Sequence, residues 1–465
     1  MDAEQQRSGE HSSRVPTHPG ADRTGGTGAA ASVGRQAFTA VNPSQPLAVD
    51  LIEQVCDPKN LLRAYRRVRA NKGSPGVDGM TVYQLADWLR KNQEALLAAL
   101  RSGTYQPQPV RGVQIPKPGG GKRQLGIPTV VDRLVQQAML QVLEPILDPT
   151  FSESSFGFRP KRSAHDALAQ ARKYVSEGRE MVVDLDLEKF FDRVNHDILM
   201  SRLARRIGDK HLLRIVRRFL QAGLMQEGVC VAREEGTPQG GPLSPLLANL
   251  LLDDLDRELE RRGHCFCRYA DDCNIYVRSM AAGQRVMDSV VRFLEGKLRL
   301  RVNREKSAVA PVGKRKFLGH RLLLNGKLGL APTTVPRAKD KIRQITRRNR
   351  GVSLEQVIEE LNAFLRGWLQ YFRYAACRGE LQRLDAWIRR KLRTYRLKQR
   401  KRGKSTAEFL QQLGAPADQA WRIASSGKGW WRLANSAPVK RAMDNEWLAA
   451  QGLFGLTTGY DVSRS

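Results

Sequence analysis

The stretch CFCRYADDCNIYV, residues Cys265 to Val277, constrains the fold more than any other part of the chain. Two short runs of strand-forming residues flank the adjacent aspartates Asp271 and Asp272, and this pattern predicts a β-hairpin with two carboxylates at its bend. A turn accounts for one polar residue there. Two neighbouring carboxylates repel each other unless positive charge lies between them, so the pair indicates a site for divalent cations.

A second acidic stretch, VVDLDLEKFFD, supplies Asp184 and Asp186. Side chains alternate along a strand, so both carboxylates point to the same face. One of them, placed beside the hairpin, would complete a site of three carboxylates, and the spacing alone does not choose between the two. Two Mg²⁺ ions in such a site can clamp the attacking and leaving oxygens of a phosphoryl transfer. Ordinary strand-end and turn acids are the alternative interpretation.

The chain is strongly basic, with a formal charge of +31 over 465 residues. Residues 337–465 hold 27 basic and 11 acidic residues. This excess favours a polyanionic partner, nucleic acid first, although a solvated basic face or a scaffold is also compatible with it. Neither a membrane-spanning apolar run nor a C-x-x-C zinc motif occurs, and the composition is typical of a cytosolic protein with reduced cysteines.

The first 48 residues are rich in Gly, Ala, Ser and Thr, which predicts a disordered tail over residues 1–48.

Further on, Lys117 and Arg123 flank a glycine run that predicts the tip of another hairpin, where cations could hold a triphosphate. The loop GTPQGGP precedes a leucine-rich helix for which Ser244 is the predicted N-cap. Its glycines would let the backbone approach a ligand closely.

Basic helices follow from about residue 338. Ser353 is a predicted cap for the first of them, and a second is predicted over Trp387 to Lys404. Near the end of the chain, Trp430 and Trp431 lie in the sequence SSGKGWWR, which combines charge with aromatic surface. These tryptophans are candidates for stacking on RNA bases.

Several long blocks, taken together and in order, resemble bacterial group II intron-encoded reverse transcriptases. They are YADD, GTPQGGPLSPLLAN, DLEKFFDRVNH, FGFRPKRSAHDA and RQLGIPTVVDRLVQQAM, followed by KFLGH and the thumb-like LRGWLQYF. The resemblance implies an α+β right-hand polymerase with fingers and palm over residues 49–335. A helical thumb or maturase domain would occupy residues 336–410, and a basic C-terminal RNA/DNA-binding region residues 411–465.

The same resemblance implies a set of metal ligands. The first aspartate of the D-x-x-x-F-F-D block is Asp186, which would join Asp271 and Asp272 in holding two Mg²⁺ ions that Mn²⁺ could replace. Asp184 is then a neighbour rather than a ligand. All three ligand positions carry aspartate, which implies an active polymerase.

The resemblance also implies four nucleotide-binding residues. Lys117 and Arg123 match cations that hold the triphosphate, and Gln239 matches a glutamine that lies along the incoming nucleotide. Phe191 matches the residue that excludes a ribose 2′-hydroxyl by its bulk. The implied substrates are deoxynucleoside triphosphates.

Candidate RNA-binding residues complete the prediction. They are Arg159, Lys161, Arg389, Arg390, Arg400, Lys401, Arg402, Lys428, Trp430 and Trp431. The implied function is RNA-directed DNA synthesis with maturase activity, in which the protein binds and helps to splice its intron RNA and copies it into DNA. Its partners would be the intron RNA, an RNA template and a DNA primer or target, in the bacterial cytosol at the nucleoid. A host role such as phage defence, or splicing assistance alone, are the alternatives, and the oligomeric state stays open.

One departure from many relatives concerns the end of the chain. Those relatives carry a C-terminal metal-dependent endonuclease built from histidines and paired cysteines. Here no histidine follows His320, and Cys377 is the only later cysteine. The resemblance is therefore to the form without that endonuclease.

Overall fold

The structure is a computed structural model that describes residues 50–116, 120–226, 229–231, 235–238 and 240–464. The predicted tail of residues 1–48, and the predicted nucleotide-binding residues Lys117 and Gln239, lie outside the described residues. The strands are β1 Val110–Pro116, β2 Lys122–Ile127, β3 Met181–Leu185, β4 Leu224–Gln226, β5 Val229–Val231, β6 Cys265–Tyr269, β7 Asp272–Val277, β8 Ala308–Pro311, β9 His320–Leu322 and β10 Leu328–Leu330.

Helices account for most of the remaining chain. Up to the last strand they are α1 Leu51–Cys56, α2 Pro58–Ala70, α3 Leu85–Arg101, α4 Val130–Leu147, α5 Ala164–Ser176, α6 His196–Ala204, α7 Lys210–Gln221, α8 Ser244–Arg261 and α9 Met280–Phe293. After it they are α10 Thr334–Ile345, α11 Leu354–Phe372, α12 Arg378–Arg400, α13 Lys404–Gln412, α14 Ala417–Ala424, α15 Trp430–Leu433, α16 Ala437–Ala442, α17 Asn445–Ala450 and α18 Leu456–Val462. Among the described residues, no helix is long and apolar enough to cross a membrane.

The central sheet has the antiparallel strand order β6-β7-β3-β8. Alternate side chains of its strands enter two different cores. Val182 packs in one core with α5, whereas Val183 packs in the larger core that includes α8 and α9. Because both faces are covered, the strands read as nearly continuous apolar runs, and a polar residue inside them needs a buried partner.

A second sheet lies earlier in the chain, with strand order β2-β1-β4-β5. β1 and β2 pair antiparallel from Arg111–Ile127 to Pro116–Lys122, which confirms the predicted hairpin, while residues 117–119 of its tip lie outside the described residues. This sheet and the central sheet, with their helices, form the fingers and palm of an α+β right hand.

The start of α8 differs from the prediction, because Leu243 rather than Ser244 is the N-cap. The hydroxyl of Ser244 instead donates to the carbonyl oxygen of Pro238 at 2.8 Å and accepts from Thr237 Oγ1 at 3.0 Å. These bonds hold the preceding loop against the helix, so the hydroxyl is not available to cap it.

The C-terminal part is helical, as expected for a thumb. Helices α10, α11, α12 and α18 share one apolar core, and α13 to α16 share another with Leu397 of α12. The predicted helix over Trp387–Lys404 is wrong in its limits, since α12 runs from Arg378 to Arg400. It ends where Lys401 adopts a left-handed φ of 63°, and a new helix begins at Lys404.

Asp385 of α12 ties the last helix to this core. Its buried carboxylate accepts hydrogen bonds from the backbone N–H groups of Leu456 and Thr457 at 3.0 and 2.9 Å, and from the Thr457 hydroxyl at 2.7 Å. We expect Asp385→Ala to lower the local stability of α18 by about 2–3 kcal/mol, because two N–H groups lose their acceptor. Hydrogen exchange of the α18 amides should be faster by roughly two orders of magnitude. The exposed Asp340→Ala is the control, and unchanged protection in Asp385→Ala would contradict the assignment.

Candidate active site

The paired aspartates lie at the end of the β6–β7 hairpin, as predicted. Tyr269 pairs with Asp272 across the hairpin, so Ala270 and Asp271 form a two-residue turn. Ala270 has a φ of 57°, in the left-handed region that residues with a Cβ rarely adopt. The turn therefore exposes two adjacent carboxylates at the edge of the sheet on a strained backbone.

Strand β3 brings the other acidic stretch to the same edge. Its Leu185 pairs with Cys273 of β7, so the next positions on the two strands are Asp186 and Asp272. The backbone of Asp186 is held by Ser307, whose hydroxyl oxygen accepts from the Asp186 N–H at 3.0 Å. The sheet register thus brings together the carboxylates that the sequence placed in separate motifs.

The structure distinguishes Asp184 from Asp186. Arg315 donates from Nε to Asp184 Oδ2 at 2.8 Å, and its Nη2 lies 2.7 Å from the same oxygen. Among the described residues, Asp186 has one ion-pair partner, Lys306, whose Nζ lies 3.9 Å from Oδ1, and the Asp186 side chain is 38% exposed. Asp184 is thus committed to an internal ion pair, whereas the carboxylate of Asp186 is open to a ligand.

The carboxylates influence one another electrostatically. Burial raises the pKa of Asp271, and the charge of Asp186 adds to that effect. The side chain of Asp272 is exposed at the edge of the sheet. Its pKa is nevertheless raised to about 6, chiefly because the surrounding protein displaces bulk water and also because Asp271, Asp184 and Asp186 repel its charge. A pKa raised in this way indicates unbalanced negative charge, which a divalent cation would neutralise.

Asp184, Asp186 and Asp272 line a cavity of about 780 Å³. Its other walls are strongly basic, with side chains from Lys306, Lys314, Arg315, Lys316, Arg321 and Arg337. Within the described ranges, no three His, Cys, Asp or Glu side chains form a compact cluster of metal ligands. The donor chemistry nevertheless fits Mg²⁺, which uses one or two carboxylates and completes its shell with water and phosphate oxygens.

A neighbouring cavity of about 580 Å³ contains two of the predicted nucleotide-binding residues, Arg123 and Phe191. Gly240 and Gly241 of the glycine-rich loop line the same space. The positive charge of Arg123 lowers the pKa of Asp271 against the larger effect of burial, so the guanidinium lies within electrostatic range of the aspartate turn. This arrangement can accept an anionic substrate next to the carboxylates.

The prediction that Arg159 binds RNA is wrong, because its side chain is buried. Its guanidinium donates to Asp148 Oδ1 at 2.7 Å, to the carbonyl oxygen of Ser152 at 2.5 Å and to the carbonyl oxygen of Ser155 at 3.1 Å. The side chain is only 3% exposed, so its donors stabilise the chain segment that they touch. By contrast, Lys161, two residues on, is exposed.

Of the two candidate stacking residues, Trp431 is exposed and Trp430 is half-buried, and a cation lies against each ring. The guanidinium carbon of Arg390 is 4.0 Å from the centroid of Trp431, and that of Arg402 is 4.9 Å from the centroid of Trp430. Lys401 and Lys428 are exposed, Arg389 is half-buried, and Arg400 packs over Phe409 at 4.6 Å. The region therefore offers clustered positive charge more readily than open aromatic faces.

Sequence reasoning did not find Arg315, Lys306 or Arg268. Arg315 and Lys306 occur in a stretch with many basic residues, where nothing in the sequence marks them. Arg268 could have been found, because it is a charged residue inside the strand run CFCRY, whose neighbours are apolar. Such a residue requires a buried partner.

Comparisons with known proteins agree with this geometry. Residues 115–322 match the family model of the reverse transcriptase (RNA-dependent DNA polymerase), and residues 335–414 match the group II intron maturase-specific domain. The chain is 35% identical over 314 residues to Protein YkfC of Escherichia coli K12, a match that covers 59% of this chain and 82% of YkfC. It is 37% identical over 195 residues to the group II intron-encoded protein LtrA of Lactococcus lactis subsp. cremoris. This match covers 42% of this chain and 32% of LtrA.

Among solved structures, telomerase from Candida albicans in complex with a telomeric RNA fragment aligns with a TM-score of 0.40 and 15% identity, over 63% of this chain and 60% of that chain. The matches to the two domain models and to the curated relatives define the class. The chain belongs to the group II intron reverse transcriptases that carry a maturase domain. By class it is an RNA-directed DNA polymerase.

The burial of Arg159 generates a prediction that separates stability from RNA binding. We expect Arg159→Met to lower the free energy of unfolding by about 3 kcal/mol, because the Asp148 carboxylate and the carbonyl groups of Asp148, Ser152 and Ser155 lose their donor. RNA affinity, measured by fluorescence anisotropy below the unfolding transition, should stay unchanged. Lys161→Gln is the matched exposed control and should leave stability unchanged. Weaker RNA binding by Arg159→Met at wild-type stability would show that Arg159 contacts RNA after all.

Proposed function

We propose that this protein copies RNA into DNA at Asp186, Asp271 and Asp272, with two Mg²⁺ ions that Mn²⁺ could replace. The observation that supports this most directly is the antiparallel register of β3 and β7, whose pair Leu185–Cys273 is followed on the two strands by Asp186 and Asp272, beside the Asp271 turn. The ion pair of Asp184 with Arg315 supports the choice of Asp186 as the third carboxylate. When bound, Mg²⁺ supplies charge neutralisation at the attacking and leaving oxygens.

The neighbouring cavity would hold the incoming deoxynucleoside triphosphate. Arg123 would pair with its phosphate oxygens, because a guanidinium matches phosphate geometry with two parallel hydrogen bonds. Phe191, which packs edge-on against Phe190 at a centroid distance of 5.1 Å, would exclude a 2′-hydroxyl by its bulk. Lys117 and Gln239 would take the roles that the family resemblance implies for them.

The second proposed activity is that of a maturase. The basic helices after residue 335 would bind the phosphate backbone of an intron RNA and stabilise its splicing-competent fold, in the bacterial cytosol at the nucleoid. The match of residues 335–414 to the maturase-specific domain supports an intron RNA as the partner. The same protein would then use that RNA as a template and a DNA strand as its primer.

We expect Asp186→Asn and Asp271→Asn each to lower the rate of primer extension on an RNA template by roughly 10³-fold, about 4 kcal/mol of transition-state stabilisation. Each change removes one negative charge while keeping the size of the side chain. The measurement is single-turnover incorporation of one deoxynucleotide with Mg²⁺.

Asp184→Asn is the matched control on the same strand. It should act mainly on stability, because its carboxylate is occupied by Arg315. If Asp184→Asn abolishes incorporation while Asp186→Asn retains it, the ligand assignment must be exchanged. If all variants and the wild type bind intron RNA but synthesise no DNA, the protein assists splicing without acting as a polymerase.

Intron RNA binding should depend steeply on salt. If about six phosphates are contacted, affinity should fall by roughly 10³-fold between about 50 and about 200 mM KCl, because binding releases condensed counterions. The double substitution Lys401→Gln with Lys428→Gln should reduce the slope of log affinity against log salt by roughly 1–2. Lys297→Gln, an exposed lysine outside the C-terminal region, is the control. A slope that the double substitution leaves unchanged would remove these lysines from the interface.

A further inference from the structure

The aspartate turn is a demanding local structure. Ala270 holds a left-handed φ of 57° without being glycine, and the next two residues are aspartates whose charges repel each other. Such a conformation persists only when the surrounding structure imposes it. The packing behind the turn is therefore part of how the site is built.

Behind the turn lies Arg268, whose side chain is 0% exposed. Its guanidinium donates to both oxygens of Asp256, at 2.8 Å from Nε and 2.6 Å from Nη2, and the Asp256 side chain is also 0% exposed. Nη2 further donates to Ser155 Oγ at 2.8 Å. Nη1 donates at 2.9 Å both to Asn249 Oδ1 and to the carbonyl oxygen of Ala270. One buried side chain thus connects α8, the Ser155 segment and the strained residue of the turn.

The Ser155 segment supports the turn from a second side. The Arg268 N–H donates to the Ser154 carbonyl oxygen and the Phe156 N–H donates to the Arg268 carbonyl oxygen, both at 2.9 Å. At Gly157, an added Cβ would lie 2.3 Å from the backbone nitrogen of Ala270. The turn is consequently enclosed between a guanidinium that holds its carbonyl group and a glycine that leaves room for its N–H group.

We infer that Arg268 and Gly157 are positioning residues for polymerisation, which hold the Ala270 turn and thereby fix where Asp271 and Asp272 place their carboxylates. The inference rests on the proposed role of these aspartates as metal ligands. Arg268 acts through the backbone of Ala270, whose carbonyl oxygen it holds, and not by contact with substrate or metal.

The chemistry of the side chain explains why arginine is needed. A guanidinium presents five donors in one rigid plane, so it can hold Asp256, Asn249, Ser155 and the Ala270 oxygen at once. An ammonium group has three donors on a flexible stem. Arg268→Lys therefore keeps the charge next to Asp256 but cannot bind all of these acceptors. The hydrogen bond to the carbonyl oxygen of Ala270 is among those that the lysine can lose.

The test is single-turnover deoxynucleotide incorporation by the full-length protein, measured over a series of Mg²⁺ concentrations. We expect Arg268→Lys to raise the Mg²⁺ concentration for half-maximal rate and to lower the rate at fixed Mg²⁺ by roughly 10–100-fold, as for changes in residues that orient metal ligands. The affinity for intron RNA should equal that of the wild type. Arg202→Lys is the matched control. Arg202 of α6 pairs at 2.6 Å with Asp254 of α8, the helix that also carries Asp256, and this pair does not contact the turn.

Gly157→Ala tests the same inference without removing any charge. Gly157 does not have a positive φ, so an alanine there is restricted by its contact with the backbone of Ala270 and of the preceding Tyr269. We expect the same rise in the Mg²⁺ requirement, whereas Gly296→Ala, where a Cβ meets nothing within 4 Å, should match the wild type. This variant keeps the inference testable if Arg268→Lys does not fold.

The outcomes are distinct. In one outcome, both Arg268→Lys and Gly157→Ala contain a smaller fraction of active enzyme but reach half-maximal rate at the same Mg²⁺ concentration as the wild type. The contacts would then only stabilise the fold, and the inference would be overturned. If Asp271→Asn also polymerises like the wild type, the proposed function itself fails. If Asp271→Asn is inactive but Arg268→Lys and Gly157→Ala behave like their controls, only the positioning inference fails.

Discussion

Repulsion between carboxylates at one edge of the central sheet is the constraint on which the rest of this structure depends. The register of β3 and β7 brings acidic residues from distant parts of the sequence to that edge. Exclusion of water from Asp271 and Asp272, followed by repulsion between the carboxylates, raises the pKa values of both. Such an arrangement is unfavourable in the free protein. It is held by a sheet with both faces covered and by the buried Arg268, whose guanidinium donates to the carbonyl oxygen of Ala270. Bound cations would offset the repulsion.

The arginines of this protein have two separate physical roles. Some, such as Arg268 and Arg159, are buried and satisfy carboxylates and carbonyl groups inside the palm. Others line the cavity beside the aspartates or cover the helices of the C-terminal region. Only the second group is available to nucleic acid. The number of arginines therefore overstates the binding surface, because the buried ones are paired with carboxylates inside the fold. The net charge is unaffected, since each such pair is neutral.

Aromatic residues show a related distinction. Trp430 and Trp431 stand out in the sequence as stacking surfaces, but Arg402 and Arg390 lie against their rings. The face of an indole ring attracts a cation. This attraction holds each arginine near other basic side chains despite their mutual repulsion. In this protein the tryptophans thus help to concentrate positive charge, a property suited to phosphate contacts.

Local sequence determined much of this protein. The hairpins, the paired aspartates at a bend, the change to basic helices and the family blocks are all readable because strand alternation, glycine turns and helical spacing act over a few residues. The tertiary structure alone decided that Asp184 pairs with Arg315, that Arg159 is buried, that Ser244 binds the preceding loop and that Arg268 holds the Ala270 turn. These outcomes depend on which partners the fold brings together. The partner is 131 residues away for Asp184 and Arg315, and it lies within a nearby loop or turn in the other three cases. The physical reason is that a charged group takes its role from burial and from its nearest partner, and neither is a property of its place in the sequence.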